Sequence, residues 1–376
     1  MNRRDPQIGV FIRKHASAAA LYCDVTLLCV IGDPDQEKLV EIEEKNEYGI
    51  WSVVAYFKKV QSPVSIFNSF INTFRYLRAN RQALRYIEKK KGRHDITHAY
   101  ILLRPAIIAW LLKIFKGIPF VISEQWSGYA TGAFAKKNFL EKTLTRLVFR
   151  KAVAVTAVSK FLKDEMEASG LHNQYTITPN VVEPVAKKDS PLPSNNRIKI
   201  LTVADLVDEI KNISATIEAV AEILKHNPSI EFHIVGHGKD EKLLKDLSIK
   251  LDVLDKFVFF HGVKSNEEVF QFLHACDFLV MNSRFETFSL ICIEAMSCGK
   301  PVIATDCGGP SGFMQPQYGI LISPDNSGQL KPALEKMISE FKNYDTELLK
   351  DFALTNFSSS GTGKKFAEIY LQVLPG

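Results

Sequence analysis

Runs of β-branched and aromatic residues alternate with stretches of helical periodicity along the whole chain. Runs at 24–31, 50–56, 96–103, 119–124, 153–158 and 175–178 predict six strands in the first half. Six more are predicted at 198–204, 231–235, 257–261, 278–282, 301–305 and 319–322. Between them apolar positions recur three and four apart, which predicts helices such as 215–225, 239–251, 267–274 and 287–298. Strands joined through helices need crossover connections, so the alternation predicts parallel sheets and an α/β fold.

The alternation breaks once. Residues 183–196 hold Pro184, Pro191 and Pro193 among lysines and an aspartate, without an apolar period, and read as a linker. The chain is therefore expected to form one doubly wound, Rossmann-like domain over 1–182 and a second over 197–376. The last helical pattern, 363–374, suits packing on either domain. Two such domains facing each other leave a cleft at the carboxyl ends of their strands, where ligands of open α/β sheets bind. Chemistry is to be sought just after strands.

A length of 376 residues agrees with two domains, and 46% apolar with 24% charged residues is the make-up of a globular chain. Charge is spread unevenly. Residues 1–180 carry 27 Lys and Arg against 16 Asp and Glu, and the remainder 20 against 26. The basic half suits either an anionic surface or ligand, or a plainly solvated face. Within it, Phe139, Leu140, Leu144 and Leu147 are interleaved with Lys136, Lys137, Lys142, Arg146 and Arg150. That pattern is open both to a membrane interface and to a core-facing helix with a basic outer side. The apolar run 101–122 is broken by Arg104, Pro105, Lys113, Lys116 and Pro119, short of the ~20 clean residues of a membrane span. Residues 1–5 are too charged to read as a secretory leader. Six cysteines without metal-ligand spacing predict free thiols in a reducing compartment. A cytoplasmic location is expected, with room for a peripheral position at the inner face of the membrane.

The densest chemical pattern lies at 281–310. Ser283, Arg284, Phe285 and Glu286 follow a buried strand as a loop, Thr287 opens the predicted helix, and Gly299, Lys300 and Pro301 stop it. After the next strand comes Asp306-Cys307-Gly308-Gly309-Pro310, a glycine turn on the same sheet edge. The free N–H groups of Thr287, Phe288, Ser289 and Leu290, with the positive helix end, form a natural diphosphate site. Glu286 is suited to accept hydrogen bonds from sugar hydroxyls and Glu294, on the helix, from a ribose diol.

This order of strand, loop, Glu286, helix, Glu294, Gly-Lys-Pro, strand and Gly-Gly-Pro resembles the retaining family 4 glycosyltransferases of the GT-B fold. Their hallmark is two glutamates separated by seven residues, and the resemblance covers nearly the whole chain. It implies GT-B architecture, two Rossmann-like domains facing a cleft, and a nucleoside diphosphate sugar (a UDP- or GDP-sugar) as donor substrate. It implies no bound metal and no other cofactor. Lys211, after the strand at 198–204, would contact the donor diphosphate, while Gly236 and the Gly262-Val263 pair would frame the base. Gly9 would let backbone approach the donor phosphates or the acceptor. Gln125, in the place of the family's usual His, would line the acceptor side. On spacing alone, the glycines are ordinary turns and Lys211 is a surface lysine.

Four positions depart from the family pattern. Asp205 stands where an Arg is usual, and is expected to point away from the diphosphate or to hold Lys211. Gln125 can hydrogen-bond a hydroxyl but takes up no proton at neutral pH. Val181 replaces the Gly after Asn180. The strand that precedes the glycine loop is not seen ahead of Pro6, which predicts either a start further upstream or a sheet without its central strand. Asp33-Pro34-Asp35 reads as solvated loop acids rather than a metal pair.

The implied activity is retaining transfer of a hexose from the nucleotide sugar to a hydroxyl acceptor, in surface polysaccharide or glycolipid biosynthesis. Glu286, Lys211 and Gln125 take the catalytic roles. The acceptor is a glycan or lipid-linked precursor, with peripheral contact to an anionic membrane through the basic first domain and no nucleic-acid partner. The alternatives are a catalytically weak or silent sugar-nucleotide-binding GT-B protein and a GT-B sugar-nucleotide epimerase.

Overall fold

The structure is a computed structural model that describes residues 9–47, 49–61, 65–325 and 327–374. The chain divides into two compact units. The first takes the described residues up to Val158, then 163–181, and those from Ser359 on; the second takes 159–162 and 182–358.

The first unit runs α1 (Val10–Ala20), β1 (Thr26–Asp33), β2 (Val40–Glu47), β3 (Ile50–Lys58), α2 (Ser65–Lys91), β4 (Thr97–Tyr100) and α3 (Arg104–Lys116). It continues with β5 (Phe120–Glu124), α4 (Phe139–Lys151), β6 (Ala154–Ala157), most of α5 (Lys160–Ala168) and β7 (Tyr175–Ile177). The strands form two sheets, β4-β5-β6-β7 and β1-β3-β2. The first is parallel throughout, and β1 pairs β3 in parallel, but β2 runs antiparallel to β3.

Strand β2 is a correction to the sequence reading, which saw no strand there and expected parallel sheets only. Its sequence, VEIEEKNE, is so acidic that its period of two was hidden. Ile42 nevertheless packs inward against the cluster of Val53, Ala55, Ala83 and Ile87. An edge strand this rich in charge is guarded against pairing with other chains, and Glu44, on the face of Ile42, accepts from Trp51 and Tyr86. On the other edge of that sheet β1 is only half-buried along its length, although TLLCVIGD is apolar. Residues 6–8, which precede Gly9 in the expected glycine loop, lie outside the described residues.

The second unit contains β8 (Ile198–Val203), α6 (Asp208–Lys211), α7 (Ile213–Leu224), β9 (Ile230–Val235), α8 (Glu241–Lys250), β10 (Val258–Phe260) and α9 (Asn266–Ala275). Next come β11 (Phe278–Met281), α10 (Leu290–Ser297), β12 (Val302–Thr305), β13 (Gly319–Ile322), α11 (Ser327–Glu340) and α12 (Thr346–Phe357). Its six strands form one parallel sheet in the order β10-β9-β8-β11-β12-β13. Strands β11 and β12 are buried at every residue, which is why they read as continuous apolar runs. Winding proceeds outward from β8 in one direction and from β11 in the other. The reversal between these two strands is the switch point where open α/β sheets leave a crevice.

The stretch 183–196 is irregular and lies within the second unit, and it is not a free tether. Gln271 on α9 accepts from the Lys188 amide at 2.7 Å and donates to the Ala186 carbonyl at 3.0 Å, and Leu192 is buried.

The final helix, α13 (Ser359–Val373), belongs to the first unit and packs along α1. A Cβ on Gly363 would lie 2.0 Å from the Ala18 carbonyl, so only glycine permits that approach. Helix α13 also closes a buried polar network. His98 Nδ1 lies 2.6 Å from the Tyr370 hydroxyl and its Nε2 2.7 Å from Ser123 Oγ. Nearby, a ring nitrogen of His15 meets the Pro179 carbonyl at 3.0 Å. Burial pulls His98 down to about 3 and His15 down to about 4, so both rings are neutral in the folded protein. An unfolded histidine takes its proton near 6.5. The stabilisation is therefore complete above that value and is lost as pH falls toward the folded-state values, by about 1.4 kcal/mol per pH unit for each ring. The urea midpoint is expected to fall steadily from pH 7 to pH 4. A midpoint constant over that window would contradict the buried neutral rings.

On α4 the sequence left two readings open, and both faces exist. Thr145, Val148 and Phe149 are buried, while Phe139 and Leu140 at its start are exposed. Among the described residues no helix is long and apolar enough to cross a membrane. All six cysteines are free thiols.

Candidate functional site

A cavity of about 170 Å³ opens at the switch point of the second unit. Thr202, Val203 and Ala204 from the end of β8 form one wall, and Val280 to Ser283 from the end of β11 form another. Lys211, Glu286, Ser289, Leu290 and Ile291 complete it. Four of the residues singled out in the sequence thus meet here: Lys211, Glu286, Ser289 and Leu290.

Lys211 and Glu286 are 75 positions apart and form an ion pair, Nζ to Oε1, at 2.6 Å. Ser283 Oγ donates to the same carboxylate oxygen at 2.9 Å. Asp205 was expected either to point away or to hold Lys211; its side chain is exposed, and Glu286 is the lysine's partner. Lys211 ends the four-residue helix α6, whose C-cap Asn212 sits in the left-handed region at φ 50°. Arg284 holds that turn. Its side chain donates to the Asp208 carbonyl at 2.8 Å, the Glu209 carbonyl at 3.2 Å and Asn212 Oδ1 at 2.7 Å, and it pairs with Asp325. The Arg284 amide adds a bond to the Ile210 carbonyl at 2.7 Å. The loop after β11 is thereby stapled to the turn that carries Lys211.

Glu286 is set by the glycine turn after β12. Its amide donates to the Cys307 carbonyl at 3.2 Å, and its carbonyl accepts from the Gly309 amide at 2.8 Å. A Cβ on Gly308 would lie 2.6 Å from the Phe161 ring, and one on Gly309 would lie 2.4 Å from Phe288 Cα. Gly309 is required by that backbone contact, and Gly308 by its φ of 117° and the packed Phe161 ring.

The helix carrying the second glutamate begins at Leu290, three residues later than the sequence predicts. Ser289 is its N-cap at φ 69°, an unusual conformation for a residue with a side chain. Thr287 and Phe288 are consequently loop residues and do not supply first-turn amides. The Thr287 carbonyl accepts from Ser159 Oγ at 2.6 Å. Phe288 is buried against Phe313 and Phe357. Leu290 and Ile291 stand in the first turn, where helix geometry leaves N–H groups without intrahelical acceptors. With Lys211 they form a positive pole beside one carboxylate, an arrangement suited to a polyanion that also carries hydroxyls.

Glu294 is buried about one turn along α10 and accepts from Asn266 Nδ2 at 3.4 Å, away from the cavity wall. Gly236 has φ 137°, and a Cβ there would lie 1.9 Å from the Ala204 carbonyl; one on Gly238 would lie 2.4 Å from that of Leu206. These glycines let the loop after β9 press against the loop after β8. The Gly262 carbonyl accepts from the Gly236 amide at 2.9 Å, and Val263 beside it is exposed. Burial pushes the Cys307 thiol up to about 11 and Cys292 higher, so neither is a nucleophile at neutral pH.

In the first unit Gln125 follows β5, and its Nε2 donates to Asn180 Oδ1 at 2.9 Å. Its loop is held by buried Glu124, which accepts from the amides of Leu102, Gln125 and Trp126 and from the Tyr129 hydroxyl. Burial pushes this carboxyl up, while the four donors favour its ionised form. Gly9 caps α1 in the left-handed region at φ 76°. Asp33 Oδ1 accepts the Asp35 amide at 3.1 Å, which makes this acidic pair a loop turn. Among the described residues no group of three or more His, Cys, Asp or Glu is placed to hold a metal.

Sequence reasoning missed Ser283, Thr202 and the clamp made by Arg284. Ser283 and Arg284 follow directly after a buried strand, which was the available signal.

Residues 185–350 match the family described as "Glycosyl transferases group 1", and residues 15–181 match "Glycosyl transferase 4-like domain". The chain is 24% identical over 357 residues to the N-acetylgalactosamine-N,N'-diacetylbacillosaminyl-diphospho-undecaprenol 4-alpha-N-acetylgalactosaminyltransferase of Campylobacter jejuni. That match covers 89% of this chain and 91% of the relative. It spans 66% and 61% of the length of two other glycosyltransferase relatives. Among solved structures, sucrose-phosphate synthase of Thermosynechococcus elongatus superposes with a TM-score of 0.75 at 19% identity, covering 96% of this chain and 92% of that one. HepE of Anabaena in complex with UDP gives 0.70 at 15% identity, covering 98% of both.

Proposed function

The chain belongs to the family 4 glycosyltransferases of GT-B fold, which use sugar-nucleotide donors, and from that premise we propose that it transfers a hexose with retention of anomeric configuration. The donor is a UDP- or GDP-sugar, and the UDP held by the Anabaena structure supports the first. The acceptor is a hydroxyl on a polysaccharide or lipid-linked precursor, a reading favoured by the diphospho-undecaprenol in the name of the Campylobacter relative. The basic first domain would bring the protein to the inner face of an anionic membrane.

The observation that carries this reading is the convergence of Lys211, Glu286 and the first-turn amides of α10 at the switch point of one parallel sheet. Lys211 and the amides of Ser289, Leu290 and Ile291 bind the diphosphate and stabilise the charge it gains on leaving. Glu286 orients the sugar through its hydroxyls, and Glu294 holds the ribose. Gly236, Gly262 and Val263 frame the base. Gln125 is assigned to the acceptor hydroxyl. Rate enhancement then comes from positioning and from electrostatics, with no covalent step on the protein.

Thermal unfolding with a panel of nucleotide sugars tests the donor. The true donor at 100 times its Kd is expected to add about 2.7 kcal/mol of stability. Proton NMR of the product made from that donor reads the anomeric outcome. An inverted product overturns retention, and a panel without any stabilising nucleotide sugar overturns the donor assignment.

A further inference from the structure

The ladder between β6 and β7 ends with the Thr178 amide, which donates to the Ala157 carbonyl at 2.9 Å. Pro179 follows and has no N–H with which to continue it. Its carbonyl instead accepts from His15 Nε2 on α1 at 3.0 Å, a contact between residues 164 positions apart. A carbonyl only accepts, so Nε2 carries the proton of this neutral ring and Nδ1 is bare; buried Nδ1 has no partner among the described residues. The ring is 1% exposed and packs edge-on to Phe366 of α13 at 5.2 Å, with Tyr100 of β4 at 5.8 Å. It has one place and one proton to give, and both go to Pro179.

The carbonyl that His15 holds lies in the same planar peptide as the Asn180 nitrogen, so fixing one orients the other. Asn180 Oδ1 in turn accepts from Gln125 Nε2 at 2.9 Å, a bond that joins the end of β5 to the end of β7 across β6. The backbone of Gln125 is already set by its amide bond to Glu124 Oε1 at 2.8 Å, so its remaining freedom is in the side chain. Engaging Nε2 fixes which way that amide is turned and keeps Oε1, an acceptor only, for a ligand group that donates. We infer that His15 is a positioning residue: through the 179–180 peptide it sets Asn180, and Asn180 turns the Gln125 amide so that its oxygen is presented to the acceptor hydroxyl. The inference rests on the assignment of Gln125 to that hydroxyl, and extends it to two residues behind the site.

NMR of the full chain labelled at glutamine tests the positioning directly. The Gln125 side-chain amide, assigned by its loss in Gln125→Ala, is expected to exchange slowly with solvent in the wild type. His15→Phe keeps the bulk of the ring and removes the donor. His15→Asn keeps a donor but draws it back from the place of Nε2, while His15→Gln puts an N–H there. The first two are expected to speed the exchange and to lower transfer to octyl β-D-glucoside about tenfold or more, with UDP affinity unchanged. His15→Gln is expected to restore both. In a Gln125→Ala background His15→Phe should cost less than about twofold further, because its route is already cut. A folded His15→Phe with slow exchange and wild-type transfer makes His15 a core residue only and overturns the inference. So does a loss that His15→Gln fails to repair, or one that adds in full to Gln125→Ala. If His15→Phe does not fold, His15→Asn against His15→Gln decides, and equal exchange and transfer in these two amides overturn the inference. Exchange left slow in Asn180→Ala overturns it as well. If Gln125→Ala itself transfers at the wild-type rate, the acceptor role of Gln125 falls and the inference with it. If Gln125→Ala is slow and His15→Phe is not, that role stands and the inference alone falls.

Discussion

Glu286→Gln is expected to lower kcat by about two to three orders of magnitude, the usual loss when one charge-stabilising group leaves a polar active site. The amide keeps the size of the carboxylate but not its charge. It leaves Lys211 without an anion at 2.6 Å and gives the sugar hydroxyls a weaker acceptor. Stability should change little, because Ser283 Oγ can still donate to the remaining side-chain oxygen and neither partner lies in the apolar core. Initial rates of nucleoside diphosphate release, measured beside urea midpoints, separate the two effects. A folded variant that keeps more than a tenth of the wild-type kcat would remove Glu286 from the sugar-orienting role.

The second large effect is structural. Gly309→Ala is expected to destabilise the second unit by about 3 kcal/mol, the upper range for forcing atoms into a packed site. Its new Cβ would stand 2.4 Å from Phe288 Cα, and that contact is backbone, which no rotamer change relieves. The segment from Glu286 to Ser289 must shift, so donor-induced thermal stabilisation should vanish as well. Gly312→Ala, three positions on, meets nothing within 4 Å and serves as the neutral comparison. Equal urea midpoints for the two variants would show that the close approach of these loops is not what requires glycine.

Much of this was legible in sequence because parallel strands buried on both faces write themselves as apolar runs. The chain from β8 to β13 is of that kind, and the Glu-to-Gly-Gly-Pro segment fell at the correct sheet edge. Strand β2 was not legible, because its glutamates outweigh Val40 and Ile42 in any reading by hydropathy. The start of α10 was misplaced for a different reason. A left-handed residue ahead of a helix is read from Gly or Asn, and here it is Ser289, held with its hydroxyl 3.1 Å from Cys292 Sγ. Phe288 was therefore taken for an amide donor when its ring is a core residue. The pairing of Lys211 with Glu286 was beyond reach: nothing local links positions 75 residues apart, and only the reversal of sheet winding brings them together. Arg284 looked like a loop cation, and its five bonds across to α6 and Asp325 depend on that same reversal.

Helix α13 has a consequence for how the protein is made. Phe366 and Ile369 share a core cluster with Ala19 and Val121, and Tyr370 closes the His98 network, so the first unit is finished by residues translated after the whole of the second. The second unit, by contrast, draws almost wholly on one continuous stretch, 182–358. On a ribosome that delivers the chain from its N-terminus, the later unit has all but four of its residues together before the earlier one can close. Until α13 emerges, Ala19 and Val121 lack their apolar cover, so of the two units the one begun earlier is the one that a nascent-chain chaperone would need to hold longer.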